Sequence, residues 1–270
     1  PNNIFASIFK EDSKNITKLS GILINTLEIL KSETLDALKS GKVVDGLPPL
    51  YPVLFTPLNL RRKQTHGDQL PRSVVYVNFG SKQAMSREQI NEIQDGLLRS
   101  AYPFLPMVKD KRVDKEDTDS LNEVLGDELM EKIKDKGLVV KQWENQVEIL
   151  GHPAVGGLFS HCGWNLVTEA AWHGVRLLVW PAKRDQKVKA TVVERSGLDV
   201  WPKTWEWGLE TVVKREKIGE KIKQMMGSEE LKLRAKQIQE EVRKAVSAGG
   251  SSNIALSEVI DEWSNVEATM

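Results

Sequence analysis

Short apolar runs alternate with longer segments whose apolar positions recur every three to four residues. That alternation predicts strands joined by amphipathic helices. From residue 73 the rhythm is regular. "SVVYVNF" reads as a strand closed by "GS", and "SREQINEIQDGLLRS" as a helix with Ser86 as its N-cap. "FLPMVK" is strand-like but weakened by Pro106, and 109–136 is charged loop and helix. "LVVKQW" reads as a strand, "ENQVEIL" as a short helix, "VGGLFSH" as a strand and "NLVTEAAWHG" as a helix closed by Gly174. "RLLVWP" is a strand, "QKVKATVVERSG" a helix ended by Gly197, and "LDVWP" a strand; two long charged helices broken at "SAGGSSN" finish the chain. Strand after helix after strand predicts an α/β fold, a doubly wound parallel sheet with helices on both faces.

The first seventy residues follow another rhythm. "GILINT" (21–26) reads as a buried strand and "LEILKSETLDALKS" as a helix. "GLPPLYPVLFTPLN" (46–59) carries four prolines and reads as an extended linker, followed by a polar, irregular stretch.

Composition narrows the function classes. The 270 residues hold 38 basic and 38 acidic side chains and are 40% hydrophobic, a globular balance with no electrostatic footprint for nucleic acid or an anionic membrane. One cysteine, Cys162, excludes an internal disulfide and suits a reducing compartment. No apolar run approaches the roughly 18–20 residues that span a bilayer, and no signal-peptide pattern opens the chain, so a cytoplasmic location is expected. The opening "PNNIF" has no Met and reads as a segment of something longer.

The chemistry concentrates in "FSHCGWNLVTEAAWHGV" (159–175). In a doubly wound sheet, ligands sit beyond the carboxyl ends of strands, against helix N-termini. Here strand "GGLFS" ends, "HCG" turns with Gly163 expected to permit a tight turn, and a helix begins. Its free N–H groups and dipole favour an anion, typically phosphate. His161 and Asn165 flank that end. Glu169, four residues after Asn165, shares the face one turn deeper, where a carboxylate can accept hydrogen bonds from a diol such as ribose. Three other readings compete. A metal set of His152, His161, Cys162 and His173 lacks a compact ligand pattern. A thiol nucleophile at Cys162 lacks an evident activating base. A packed core helix explains Val167, Ala170 and Ala171 but not the polar residues at the N-terminus. Spacing alone reaches a phosphate cradle and stops there.

The wider segment "WENQVEILGHPAVGGLFSHCGWNLVTEAAWHGVRLLVWPAKRDQ" (143–186) resembles the signature box of plant UDP-dependent glycosyltransferases. Trp143, Gln146, His152, "HCGWN", Glu169, Gly174, Pro181, Asp185 and Gln186 fall in register. "SGKVVDGLPPLYPV", "MSREQINEIQDGLLRS" and "MEKIKDKGLVVKQW" look most like the branch that C-glucosylates flavonoid-type phenols. The resemblance implies the C-terminal, Rossmann-like domain of the two-domain B-type glycosyltransferase fold. It divides the chain into a remnant of the N-terminal acceptor domain (1–45), a linker (46–72), a UDP-sugar-binding domain (73–250) and a C-terminal helix (251–270) returning toward the first domain. It also implies roles. Trp143 stacks on uracil, while Gln146 and Glu169 hold the ribose hydroxyls. His161, Asn165 and the helix start around Gly163 hold the diphosphate with Ser81, and Trp164, Asp185 and Gln186 contact the sugar. UDP-sugar, with glucose as its hexose, is the co-substrate, a phenol is the acceptor in a full-length form, and neither cofactor nor metal is required.

The departures from the family pattern point to a truncated or decayed copy. The family's catalytic His, near the start of the full chain, and the Asp that orients it have no counterpart here, and His66 lies in the linker. Leu166 stands where a small residue such as Ser meets the phosphate, Glu144 replaces an apolar residue beside uracil, and Arg176 replaces a Pro. Pro106 stands where a Trp usually extends the strand, and 60–72 lack the usual Leu-Trp-Leu-Asp segment. The expectation is therefore the donor-binding half of a hexosyltransferase, inactive alone. The alternative is a non-catalytic nucleotide-sugar-binding or scaffold fragment.

Overall fold

The computed structural model describes residues 15–55, 69–80, 85–108, 120–141, 145–182, 184–206 and 212–267. The chain divides into two compact units, one comprising 1–56 with 240–270 and the other 57–239.

The larger unit is built on a five-stranded, all-parallel sheet. Its strands are β3 (Val74–Asn78), β4 (Phe104–Pro106), β5 (Val155–Ser160), β6 (Arg176–Val179) and β7 (Asp199–Val200), in the order β4-β3-β5-β6-β7. Beyond β4, Gly137 and Val140 form isolated parallel bridges to Phe104 and Met107. The predicted strand "LVVKQW" is thus reduced to bridges, and Pro106 supplies the reason. Phe104 N donates to Lys136 O and Val108 N to Val140 O, so the residue between them should donate to the same neighbour, and proline has no N–H to give.

Counting that bridged segment as a third position gives the order 3-2-1-4-5-6 of a doubly wound sheet, whose direction of winding reverses between β3 and β5. The helices that return the chain are α2 (Arg87–Ser100), α3 (Leu121–Leu125), α4 (Asp127–Ile133), α5 (Gln146–Gly151), α6 (Trp164–His173), α7 (Arg184–Ser196) and α8 (Arg215–Gly227). Ser86 caps α2 as predicted, its hydroxyl accepting from Gln89 N at 3.2 Å. The C-terminal stretch forms three helices rather than two. Ser228, with φ −77° and ψ 110°, breaks α8 from α9 (Glu229–Val246), and its hydroxyl accepts from Leu231 N to start the new helix.

β5 is buried at every position, as the central strand of a sheet covered on both faces must be. Beside it, Phe79, Phe159, Trp180 and Trp205 pack with ring centroids 4.9 to 6.2 Å apart, mostly edge to face. Arg176 is integrated rather than tolerated. It is buried, and its guanidinium donates to the backbone oxygens of Gly156 (3.0 Å), Met226 (2.6 Å) and Arg72 (3.2 Å). The residue read as decay thus closes the last turn of α8.

In the smaller unit, β1 (Ile22–Asn25) pairs in parallel with β2 (Leu50–Val53). Within the proline-rich stretch read as linker, Leu50–Val53 form strand β2. Pro52 is tolerated because, among the described residues, the sheet has two strands, leaving β2 with an edge. α1 (Glu28–Lys39) follows β1, with a break in helical geometry at Lys31. α10 (Ser251–Glu267) packs on β2, where Ser252 Oγ accepts from Leu54 N at 2.9 Å and the Tyr51 hydroxyl donates to Glu262. No described helix is long and apolar enough to cross a membrane.

Candidate donor-nucleotide site

The carboxyl ends of β3 and β5 meet where the sheet reverses direction. β3 runs into Phe79 and Gly80, while β5 runs into His161, Cys162 and Gly163 before α6 starts at Trp164. Gly80 has φ +77°, and a Cβ there would lie 2.9 Å from His161 Cε1. A Cβ on Gly163 would lie 2.7 Å from His161 Nε2. The imidazole thus lies between two glycines, and a Cβ on either would force the ring to move.

The tight turn, however, belongs to Cys162. Its φ is +64°, whereas Gly163 has an ordinary φ of −64°. A left-handed residue other than glycine costs roughly 1 kcal/mol or more and gathers at functional turns. Cys162 N donates to Ser160 Oγ at 3.2 Å, which helps hold the turn. The thiol is fully buried and pushed up to about 12, first by burial and then by the charge of Asp199, which disfavours the thiolate that a nucleophile needs. Among the described residues, no group of three or more His, Cys, Asp or Glu is placed to hold a metal. His152 serves the backbone beside it, with Nδ1 accepting from Ala154 N at 3.2 Å.

α6 begins without a side-chain cap, since Gly163 is its N-cap. Its first N–H groups thus keep the donor capacity that suits an anion. Trp164 is half-buried and Asn165 exposed on this first turn, while Leu166 is only 4% exposed. Leu166 is packed into the protein rather than spread over the mouth of the cradle.

One turn deeper, Glu169 meets Gln146, the first residue of α5, whose Nε2 donates to Glu169 Oε2 at 2.7 Å. Burial raises the Glu169 carboxyl to about 7, and the Gln146 bond opposes that rise. Gln146 Oε1 in turn accepts from Asn78 Nδ2 at 3.4 Å.

On the far side, Asp185 lies in the first turn of α7 and is exposed. It accepts from Lys189 Nζ at 2.7 Å, and that bond holds its carboxyl below the usual range. Gln186 is buried, with Oε1 accepting from Ala182 N at 2.7 Å. Ser81, Trp143 and Glu144 lie outside the described residues.

A family model described as UDP-glucoronosyl and UDP-glucosyl transferase matches residues 62–210. The chain belongs to this family. This glycosyltransferase-family chain is 49% identical to UDP-glycosyltransferase 708G2 of Citrus unshiu over 97% of its own length and 57% of that protein's. It is 46% identical to UDP-glycosyltransferase 708D1 of Glycine max over 97% and 58%. A crystal structure of LpCGTa in complex with UDP superposes with a TM-score of 0.83 at 38% identity, covering 97% of this chain and 58% of that one. The glycosyltransferase fold inferred from the signature is the one observed, and the chain spans under three-fifths of the length of these relatives.

Sequence reasoning missed Tyr76 and Asn78 beneath the site and the left-handed Cys162. Asn78 left a trace, as the one amide in the otherwise apolar strand "VVYVNF".

Proposed function

We propose that this chain is the donor-binding half of a UDP-dependent hexosyltransferase that transfers a sugar, glucose by the resemblance, to a flavonoid-type phenol. The observation that carries the reading is the Gln146–Glu169 pair one turn below an uncapped helix N-terminus, at the sheet's switch point. A carboxylate and an amide suit a ribose diol, and uncapped N–H groups beside a clamped imidazole suit a diphosphate. In that reading Trp143 stacks on uracil, and Gln146 and Glu169 hold the ribose. Ser81, His161, Gly163 and Asn165 hold the phosphates. Trp164, Asp185 and Gln186 meet the sugar.

In transfer, the bond between the anomeric carbon and the UDP oxygen breaks while the acceptor carbon or oxygen bonds to that carbon. Negative charge then grows on the diphosphate, where the α6 dipole and His161 stabilise it. The acceptor's proton must go to a base, which the resemblance assigns to a His outside this sequence. On this reading the 270 residues alone form no product, because positioning and proton removal commonly supply several orders of magnitude of rate. Two measurements test it: calorimetry with UDP and uridine, and product formation from UDP-glucose and a dihydrochalcone. UDP binding without turnover is expected. Absent UDP binding overturns the donor-site assignment, and robust turnover overturns the dependence on an external base.

The second reading is a nucleotide-sugar-binding module without transfer. Adding a relative's N-terminal domain in trans separates the two readings, since only the first gains activity.

A further inference from the structure

Asn78 closes β3 with no exposed surface, and every polar atom of its amide is committed. Oδ1 accepts from Gly80 N at 2.8 Å, while Nδ2 donates to the Tyr76 hydroxyl at 2.8 Å and to Gln146 Oε1 at 3.4 Å. Gln146 Nε2 then donates to Glu169 Oε2 at 2.7 Å.

The direction of this chain follows from its first link. A backbone N–H can only donate, so Gly80 fixes the oxygen end of Asn78. The nitrogen end must then face Gln146, which turns the Gln146 carbonyl toward Asn78 and its NH₂ toward Glu169. With Gln146 reversed, two donors would face each other at Asn78, and an ionised Glu169 would face a second acceptor. In a buried setting such mispairing costs the full desolvation of each group, typically about 1–3 kcal/mol. One backbone donor thus sets the polarity of three side chains. The same Gly80 lies beside the His161 ring, where an added Cβ would come within 2.9 Å of Cε1.

We propose that Asn78 is a positioning residue of the donor site. Anchored on the Gly80 turn, it fixes which end of the Gln146 amide meets Glu169 and so presents that pair to the ribose diol. The inference rests on the assignment of Gln146 and Glu169 to the ribose, and its test separates failure of one from failure of the other.

The purified 270-residue chain is titrated with uridine and with 2′,3′-dideoxyuridine, which lacks the diol. Wild type should prefer uridine. Asn78→Ala should shrink that preference about three- to tenfold while leaving dideoxyuridine affinity nearly unchanged. Gln146→Ala should shrink it as well, and adding Asn78→Ala to Gln146→Ala should change it no further, because Asn78 acts only through Gln146. Should Asn78→Ala melt too low to titrate, Asn78→Ser, whose hydroxyl can still accept from Gly80, is read in its place. An unchanged preference, or an equal loss of affinity for both nucleosides, overturns the positioning role, as does an additive effect in the double variant. A wild type without any preference for uridine overturns the ribose assignment itself, and this inference with it.

Discussion

Two parallel strands of similar composition meet opposite fates in this molecule. "ILIN" in β1 has no buried position, whereas "VGGLFS" in β5 is buried at all six. β5 has a hydrogen-bonded strand on each side and is buried throughout, while among the described residues β1 pairs with β2 alone. The cluster holding β2 to α10 is correspondingly small, comprising Tyr51, Val53, Ala255 and Val259. Leu23, Ile254, Ile260 and Trp263 of the same unit remain 36 to 56% exposed. An apolar run records what a strand needs, and burial requires that the rest of the chain supply it. A two-stranded sheet is marginal in water, whereas a central strand shares the cooperativity of its whole sheet.

The largest expected consequence concerns hydrogen exchange. Amides of β1 and β2 should exchange several orders of magnitude faster than those of β5 and β6, because the smaller unit opens without unfolding the larger. Mass-spectrometric exchange on peptides from the two units measures the contrast. Equal protection would mean that β1 has found a partner, such as a second copy of the chain.

Next in size is a probe of the better-packed strand. Phe159 is fully buried and touches Phe79, Trp180 and Trp205. Phe159→Ala should cost about 3–5 kcal/mol in urea unfolding followed by tryptophan fluorescence. A cost under about 1 kcal/mol would show that the aromatic cluster collapses around the gap and is less rigid than its packing implies.

The larger unit also carries a cost. Asp199, in β7, keeps both carboxyl oxygens buried without a hydrogen-bond partner among the described residues, and burial raises its carboxyl to about 7. The folded state therefore holds this proton to higher pH than the unfolded state does. Stability from this group is complete below about pH 4 and is lost as pH rises toward 7. Glu169, also raised to about 7, acts in the same direction. Asp199→Asn should accordingly stabilise the chain at about pH 8 by up to about 4 kcal/mol and change it little at about pH 3.5. An equal effect at both values would exclude ionisation as the cause.

How much of this is legible in the sequence varies by residue. Strand and helix positions in 73–200 are readable because a parallel sheet imposes unbroken apolar runs on each strand. Glu169 emerges from its helical spacing to Asn165 and Gln146 through the signature, and the structure brings them into contact. The turn is misassigned to Gly163 because glycine is the usual left-handed residue, and nothing in "HCG" marks the cysteine as carrying it. Arg176 looks like damage because its partners are backbone carbonyls, which leave no sequence trace. Asn78 escapes notice because its partners lie two residues away on its own strand and on a helix 68 residues further along. Tertiary pairing at that distance is invisible to periodicity.

The smallest expected effect tests the exposed face of the smaller unit. Trp263, on α10, is 56% exposed, and Ile260, one turn earlier, is 54% exposed. An apolar side chain already in water has little burial to lose. Trp263→Ser should therefore shift stability by no more than about 0.5 kcal/mol, about a tenth of the Phe159→Ala effect. The comparison becomes sharper when protein concentration is varied. If a second copy covered this face, wild type would melt higher at higher concentration, and Trp263→Ser would abolish the dependence by mass action. A melting temperature independent of concentration in both proteins, together with the small stability change, is the expected result. A loss above about 1 kcal/mol that appears only at high concentration would mean that α10 is covered in solution by another chain, and the contrast between the two units would then belong to the monomer alone.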